Sequence, residues 1–464
     1  MISMELSELA QITGGTLRNR DHSRRRFEGV SIDSRAIVSG HLFIALPGQR
    51  VDGHDYVTQA LERGAIAAVV ERGSSRLGAI SADAPLILVE KSHDAMIRLA
   101  ERYRDQVDAR RVGITGSNGK TTTKEITYSL IRAVEENAYR SPGNLNNLYG
   151  APLALFAMPG ATKVAVLEMG VSLPGEMAKL AAIVKPHLVA ITNVSATHLE
   201  FLGSIEGVAR EKLSLVEQSG PGTQLVINAD DDLLVREAQR IRSEFVTFGI
   251  RNRASFKPDS VQAAPDGRTV VTIEGHRFRM ALFGEHQVYN LLAGYALFRT
   301  LGLSFSGVDT QKIEFKSAAM RGQMFQSHGV TFVVDCYNSN PASVTLGLKS
   351  FAAYASTGRK IVILGDMLEL GADAPKYHRE MGRLAALGRY SVIVFVGPLS
   401  REAFQVARDA GRSSADTFHF ADARSCARET AALFQEGDTV YLKGSRGIGL
   451  ETIVEPWQVK EETV

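Results

Sequence analysis

The 464-residue chain has only two cysteines, Cys336 and Cys426, and neither lies in a C-x-x-C pair. A disulfide framework is excluded, and a reducing, cytoplasmic setting is expected. Charge of one sign is lacking too: 53 Lys and Arg stand against 51 Asp and Glu, a formal +2. No whole-protein attraction to nucleic acid or anionic lipid follows from that balance, although a local basic pocket for phosphates remains open. No apolar run approaches the roughly 18 residues of a membrane span. The N-terminal MISMELSELAQITGG has no charged region followed by an apolar core, so no signal peptide is expected. Low-complexity segments and short repeats are also missing.

What is present is an ordinary soluble composition, 44% hydrophobic and 22% charged. At about 150 residues per domain the length points to roughly three domains. From Arg111 onward, short apolar runs alternate with amphipathic stretches, the pattern of βα units around a mostly parallel sheet. The runs are RVGITG, KVAVLEMG, HLVAITNV, QLVINADD, VTFVVDCYNSN, KIVILGDM, YSVIVFVG and DTVYLKGS. Each carries Gly, Asn, Asp or Ser at or next to its end, where open α/β sheets place ligands. Residues 1–90 read as a small α/β domain of their own. The stretch from Phe256 to Phe283 reads as a hairpin turning at Pro265-Asp266-Gly267, and a helix is expected from near His286. A boundary is expected near Ser317.

The most informative segment is RVGITGSNGKTTTKEITYSLIRAV. A strand runs into Gly116, Ser117, Asn118 and Gly119, then Lys120, Thr121 and Thr122, then a helix. Glycines let successive N–H groups and the positive helix end face an anion. Lys120 is expected on the β and γ phosphates, and the Thr121 hydroxyl on Mg²⁺. Only two residues separate Gly116 from Gly119, so the loop is a relative of G-x-x-x-x-G-K-[ST] and not a copy. The chain contains no Asn-Lys-x-Asp to read guanine, which weighs against a switch GTPase.

TGSNGKTT resembles the ATP loop of the Mur ligases, ATP-dependent amide-forming enzymes of bacterial cell-wall synthesis. The family's later motifs follow in order: NLNN, EMG, ITNVSATHLEFLGS, a lysine at Lys212, GEHQVYN, MRG, DCYNSNP and LKGSRGIGLE. The resemblance implies three α/β domains: a UDP-sugar-binding domain (1–90), a central P-loop ATPase domain with a mostly parallel sheet (91–317) and a C-terminal Rossmann-like domain (318–464). Within the family, DCYNSNP and LKGSR look like the member that adds D-alanyl-D-alanine to UDP-N-acetylmuramoyl-tripeptide through an acyl phosphate. A sibling ligase adding a single amino acid and a nucleotide-binding switch without ligation are the alternatives.

The resemblance also implies roles. Glu168, His198 and Thr121 hold Mg²⁺, joined by Lys212 as a carbamate, and with Lys120 these form the catalytic set. Gly116 to Thr122, Asn290, Arg321, Asp335 and Asn338 bind ATP. Asn144, Asn146 and Asn147 meet the substrate; Lys443, Ser445 and Arg446 take the dipeptide carboxylate; Ser34 and Arg35, with Asp52-Gly53-His54, serve the uridine diphosphate end. A monomer without nucleic-acid partner is expected. As bare residues these carry blander readings: a polar turn at 144–147, an N-cap at Asn290, a basic loop at 443–446 and a surface lysine at Lys212, where Leu213-Ser214 replaces the family's common Gly-Glu.

Overall fold

The computed structural model describes residues 2–48, 50–263, 268–280, 283–315 and 319–458. The expected turn at 265–267 and the boundary at Ser317 lie outside them. Three larger sheets follow one another along the chain. The first has five strands in the order Thr16–Leu17, Leu86–Val89, Ala67–Glu71, Leu42–Ile44, Val30–Ser31, parallel except at Thr16–Leu17.

The second sheet has six parallel strands, ordered Val246–Phe248, Gln224–Asn228, Leu188–Ile191, Arg110–Thr115, Val164–Glu168, Ala138–Arg140. Arg110–Thr115 comes first in the chain and sits inside the sheet, with later strands added on both sides. The order therefore reverses there and opens a crevice at the carboxyl ends of the strands. Strands buried on both faces read as continuous apolar runs, which is why VAVLE and LVAI contain so few polar residues.

The helix His286–Thr300 is buried nearly all round, from Val288 through Phe298. A helix apolar on every side must be covered on every side. It lies against Ile126 and Leu130 of the helix Lys120–Arg132 and against a three-stranded antiparallel sheet, Ser260–Ala263, Thr269–Ile273 and His276–Met280. The region read as a hairpin thus has one more strand. Its rings interlock: Phe298 stacks on Phe305 at 4.2 Å, and Phe278 meets Tyr295 edge-on at 5.9 Å.

The third sheet is ordered Gln323–Ser327, Val330–Asp335, Thr439–Lys443, Lys360–Gly365, Val392–Val396, Thr417–Phe420, parallel except for its first edge strand. Helices Pro341–Ala353, Ala374–Leu387, Ser400–Asp409 and Ala423–Thr430 alternate with its strands, a Rossmann-like arrangement. All eight apolar runs form strands. Four short edge strands, Ala138–Arg140, Val246–Phe248, Gln323–Ser327 and Thr417–Phe420, escape that reading because no edge strand requires a continuous apolar run.

Helix Pro341–Ala353 approaches its sheet at Gly347, where a Cβ would come within 1.9 Å of the Tyr441 hydroxyl. That hydroxyl is buried and donates to Asp335 at 3.1 Å, so it has nowhere to retreat. Gly347→Ala is expected to cost about 1–3 kcal/mol of stability by overpacking. Urea unfolding checks this, and an unchanged midpoint would contradict it.

Candidate active site

The phosphate loop leaves the sheet at the crevice. Gly116 has φ +146° and Gly119 φ +82°. Both are also packed tight: a Cβ would meet Thr192 Oγ1 at 1.9 Å and Asn290 Oδ1 at 2.3 Å, respectively. Conformation and space together demand glycine at these two positions. The segment after Leu188–Ile191 braces the loop. Asn193 accepts the N–H of Ser117 through its carbonyl (2.9 Å) and that of Asn118 through its side chain (3.0 Å), while Thr192 Oγ1 donates to the Asn118 carbonyl (2.5 Å).

The helix Lys120–Arg132 begins at Gly119 without a side-chain cap, which leaves its first N–H groups available to an anion. Lys120 folds back to donate to the carbonyls of Gly116 (2.7 Å) and Ser117 (3.3 Å). Desolvation lowers its ammonium to about 8; Glu168 opposes this shift and Arg321 adds to it. The Thr121 hydroxyl is buried with no protein partner, and Thr122 lines the cleft.

Glu168 closes the next strand and is buried. Its Oε1 accepts from Asn146 Nδ2 at 2.8 Å, whereas Oε2 has no hydrogen bond. Lys124, fully buried one turn after Lys120, stands 3.8 Å from that oxygen and donates to the carbonyls of Ser141 (2.9 Å) and Gly143 (2.7 Å). It fixes the chain that leads to Asn144–Asn147. Asn147 lines the cleft, and its side chain also accepts the N–H groups of Tyr149 (3.1 Å) and Gly150 (2.8 Å); Asn144 is exposed and outside the cleft wall.

His198 has φ +53° and lines the same cleft. Its Nδ1 lies 2.5 Å from Glu369 Oε2 of the third sheet's domain. His198 holds the Glu369 carboxyl below its usual range. Lys212, on the helix Ile205–Ser219, is 2% exposed and so is no surface lysine. Burial, reinforced by the charge of Lys120, pushes its pKa far down, toward a neutral amine.

The far wall comes from the later domains. Asn290 lies inside its helix, not at the cap, bonded to Gln287 (2.9 Å) and Thr123 (3.2 Å). Arg321 lies 3.9 Å over the Tyr337 ring, between Met320 and Gly322, both with positive φ. Asp335 forms an ion pair with Lys443 at 3.1 Å, and Lys443 donates to the Asn338 carbonyl at 2.7 Å. Ser117 through Lys120, Thr122, Asn146, Asn147, Glu168, His198, Asn290, Arg321, Asp335, Asn338 and Lys443 line one cavity of about 730 Å³.

Other expected residues fall outside that wall. Ser445 is buried and accepts the Leu368 N–H at 3.0 Å, and Arg446 pairs with Glu451 at 2.9 Å. Ser34 bonds Gln59 at 2.8 Å, and the exposed Arg35 pairs with Asp33, whose carboxyl it holds near 2. His54 bolts its turn, 2.7 Å from Asp52 and accepting the Glu71 N–H. Lys124, Asn193, Tyr337 and Glu369 were not singled out in the sequence. For Lys124 the signal was there, since four residues after Lys120 is one helical turn.

For a divalent cation, the Thr121 hydroxyl and Glu168 Oε2 are buried oxygens that the protein leaves without a hydrogen bond. No group of three or more His, Cys, Asp or Glu side chains able to hold a metal occurs among the described residues. Mg²⁺ commonly takes one or two carboxylates plus phosphates and water, so this sparse oxygen set fits it.

Residues 26–104 match the Mur ligase family catalytic domain, 114–298 the Mur ligase middle domain and 320–446 the Mur ligase glutamate ligase domain. Over 458 residues the chain is 31% identical to a UDP-N-acetylmuramoyl-tripeptide–D-alanyl-D-alanine ligase of Bacillus subtilis, covering 98% of each. It is 34% identical to that ligase of Treponema pallidum, over 94% of this chain and 95% of the relative. The crystal structure of a MurF ligase from Thermotoga maritima in complex with ADP is similar with a TM-score of 0.78 and 27% identity, covering 93% of this chain and 97% of that one.

Replacing Lys124 with Met leaves Glu168 and two carbonyls buried without their cation. A loss of about 3–5 kcal/mol is expected, read from urea unfolding; a variant as stable as the parent would show that the pair carries no weight.

Proposed function

The chain belongs to the Mur ligase family, and from that premise we infer that it is the ATP-dependent ligase joining D-alanyl-D-alanine to UDP-N-acetylmuramoyl-tripeptide in peptidoglycan synthesis. The observation that carries the reading is one cleft in which a phosphate loop faces Glu168, Arg321 and Asp335 from three different segments. A carboxylate is a poor acylating group because its leaving group would be oxide. Phosphorylation solves this: the tripeptide carboxylate attacks the γ-phosphorus, ADP leaves, the dipeptide amine attacks the acyl phosphate, and phosphate departs as the amine loses a proton.

The residues divide this work. Lys120 leaves the carbonyls of Gly116 and Ser117 to meet the phosphates, and the free N–H groups at its helix start cradle them. Arg321, held flat on Tyr337, supplies a guanidinium suited to bidentate phosphate contact. Asn290 supports Gly119, and Asp335 with Asn338 meets the nucleotide from the closing domain. Thr121, Glu168 and His198 hold Mg²⁺, which when bound supplies charge that offsets repulsion among phosphates and carboxylate.

Lys212 completes the set as a carbamate. Its neutral amine adds to CO₂ and loses one proton, giving a buried anion that the charge of Lys120 favours. Asn146 and Asn147 contact the tripeptide substrate. Arg446 turns from Glu451 to take the dipeptide carboxylate, with Lys443 and Ser445 shaping the loop. Ser34 and Arg35 serve the uridine diphosphate end, away from the reacting centre. Closure of the C-terminal domain keeps water from the acyl phosphate. A cytoplasmic setting accords with the two buried free thiols, and no helix among the described residues is long and apolar enough to cross a membrane.

Purified protein with ATP, UDP-muramoyl-tripeptide and D-alanyl-D-alanine should release phosphate, and omission of the dipeptide should stop it. Release indifferent to the dipeptide would sink the assignment, and single amino acids tested in its place separate it from sibling activities. Activity should fall when CO₂ is stripped from the buffer and in Lys212→Ala, with partial rescue of the variant by small carboxylates. Full activity in Lys212→Ala would reject the carbamate.

A further inference from the structure

Two asparagines from opposite sides of the cleft meet side chain to side chain. Asn340 Nδ2 donates to Asn118 Oδ1 at 2.7 Å, and Asn118 Nδ2 lies 3.4 Å from Asn340 Oδ1 while donating to Ser195 Oγ at 3.1 Å. Asn118 is in the phosphate loop; Asn340 precedes the helix Pro341–Ala353 of the C-terminal domain.

Neither side chain is placed by chance. Asn340 is 2% exposed and forms a reciprocal cap: its Oδ1 accepts the Ser343 N–H at 2.9 Å, and Ser343 Oγ accepts its N–H at 3.0 Å. A cap needs only an acceptor, and Ser, Thr or Asp supplies one. What the amide adds is Nδ2, and that donor is the atom that crosses the interface. On the other side, the backbone of Asn118 is pinned at both polar groups by Asn193 and Thr192. A rigid prong therefore presses on a rigid loop.

We propose that Asn340 is a positioning residue for the ligation, coupling the docking of the C-terminal domain to the shape of the phosphate loop. The proposal rests on the reading of that loop as the ATP site. Nucleotide binding and closure then form one linked equilibrium: whatever factor closure contributes to ATP affinity, ATP contributes to closure. His198 and Glu369 meet across the same interface and add a second polar contact to the docked state.

The test uses the full chain. Asn340→Ser and Asn340→Asp keep the cap acceptor and remove the donor. ATP affinity is measured directly by displacement of a fluorescent analogue. Closure is read as energy transfer between dyes on cysteines placed at Lys163 and Leu387, both exposed; the native cysteines are buried. Both variants should melt like the parent, bind ATP roughly fivefold more weakly, as expected for one lost hydrogen bond, and need correspondingly more ATP to close. Asn118→Ala should weaken binding similarly, and adding Asn340→Ser to it should cost nothing further. Parental ATP affinity and closure in both Asn340 variants, or losses that multiply in the double variant, would overturn the coupling while leaving the ATP site intact. An unmutated chain that binds no ATP would overturn both.

Discussion

The molecule depends on the reversal of strand order at Arg110–Thr115. A strand with parallel neighbours on both sides, whose own connections diverge, must open a crevice at its carboxyl end. Into that crevice the chain feeds the phosphate loop from the strand itself, Glu168 from one neighbour and the bracing segment Thr192–Thr197 from the other. Three segments distant in sequence thus converge without any long loop having to find its place. Their geometry is set by the hydrogen-bonding register of a sheet buried on both faces.

Charge in the cleft is arranged in layers. Lys124 lies beside Glu168, fully buried, and commits two of its donors to backbone carbonyls; Lys120 lines the cleft and donates to two carbonyls of its own loop. The buried cation fixes a shape, and the one in the cleft wall is within reach of a ligand. Across the cleft Asp335 and Lys443 neutralise each other, with Tyr441 donating to the same carboxylate. The formal charge of +2 conceals this order, since almost every charge that matters has a local counterpart.

Much of this was legible in the sequence, for physical reasons. Strands buried on both faces must be apolar throughout, so the eight central runs announced themselves, and the helix at His286 was visible through its spacing. Glycine where φ is positive and space is absent made the phosphate loop readable. The edge strands were not legible, nor was the third strand of the small antiparallel sheet, because nothing forces an exposed edge into a pattern. Nor could the sequence distinguish donors that are free from donors already committed. Lys443, Ser445 and Arg446 look alike in LKGSR, yet one is bound to Asp335, one to a backbone amide and one to Glu451 near the surface. Contacts between residues far apart in the chain, such as His198 with Glu369, have no local signature.

Phe283 precedes the central domain's buried helix, yet its ring packs among Phe351, Tyr354 and Tyr441 of the C-terminal domain. The chain returns to the same spot: a Cβ on Gly322 would stand 3.6 Å from the Phe283 Cβ. The aromatic seat and the Met320–Gly322 turn, with its positive φ angles, are therefore one joint rather than two. A ring that enters from the central domain's side thus belongs to the core of the last domain, so that the two cores share a side chain where the chain itself passes between them.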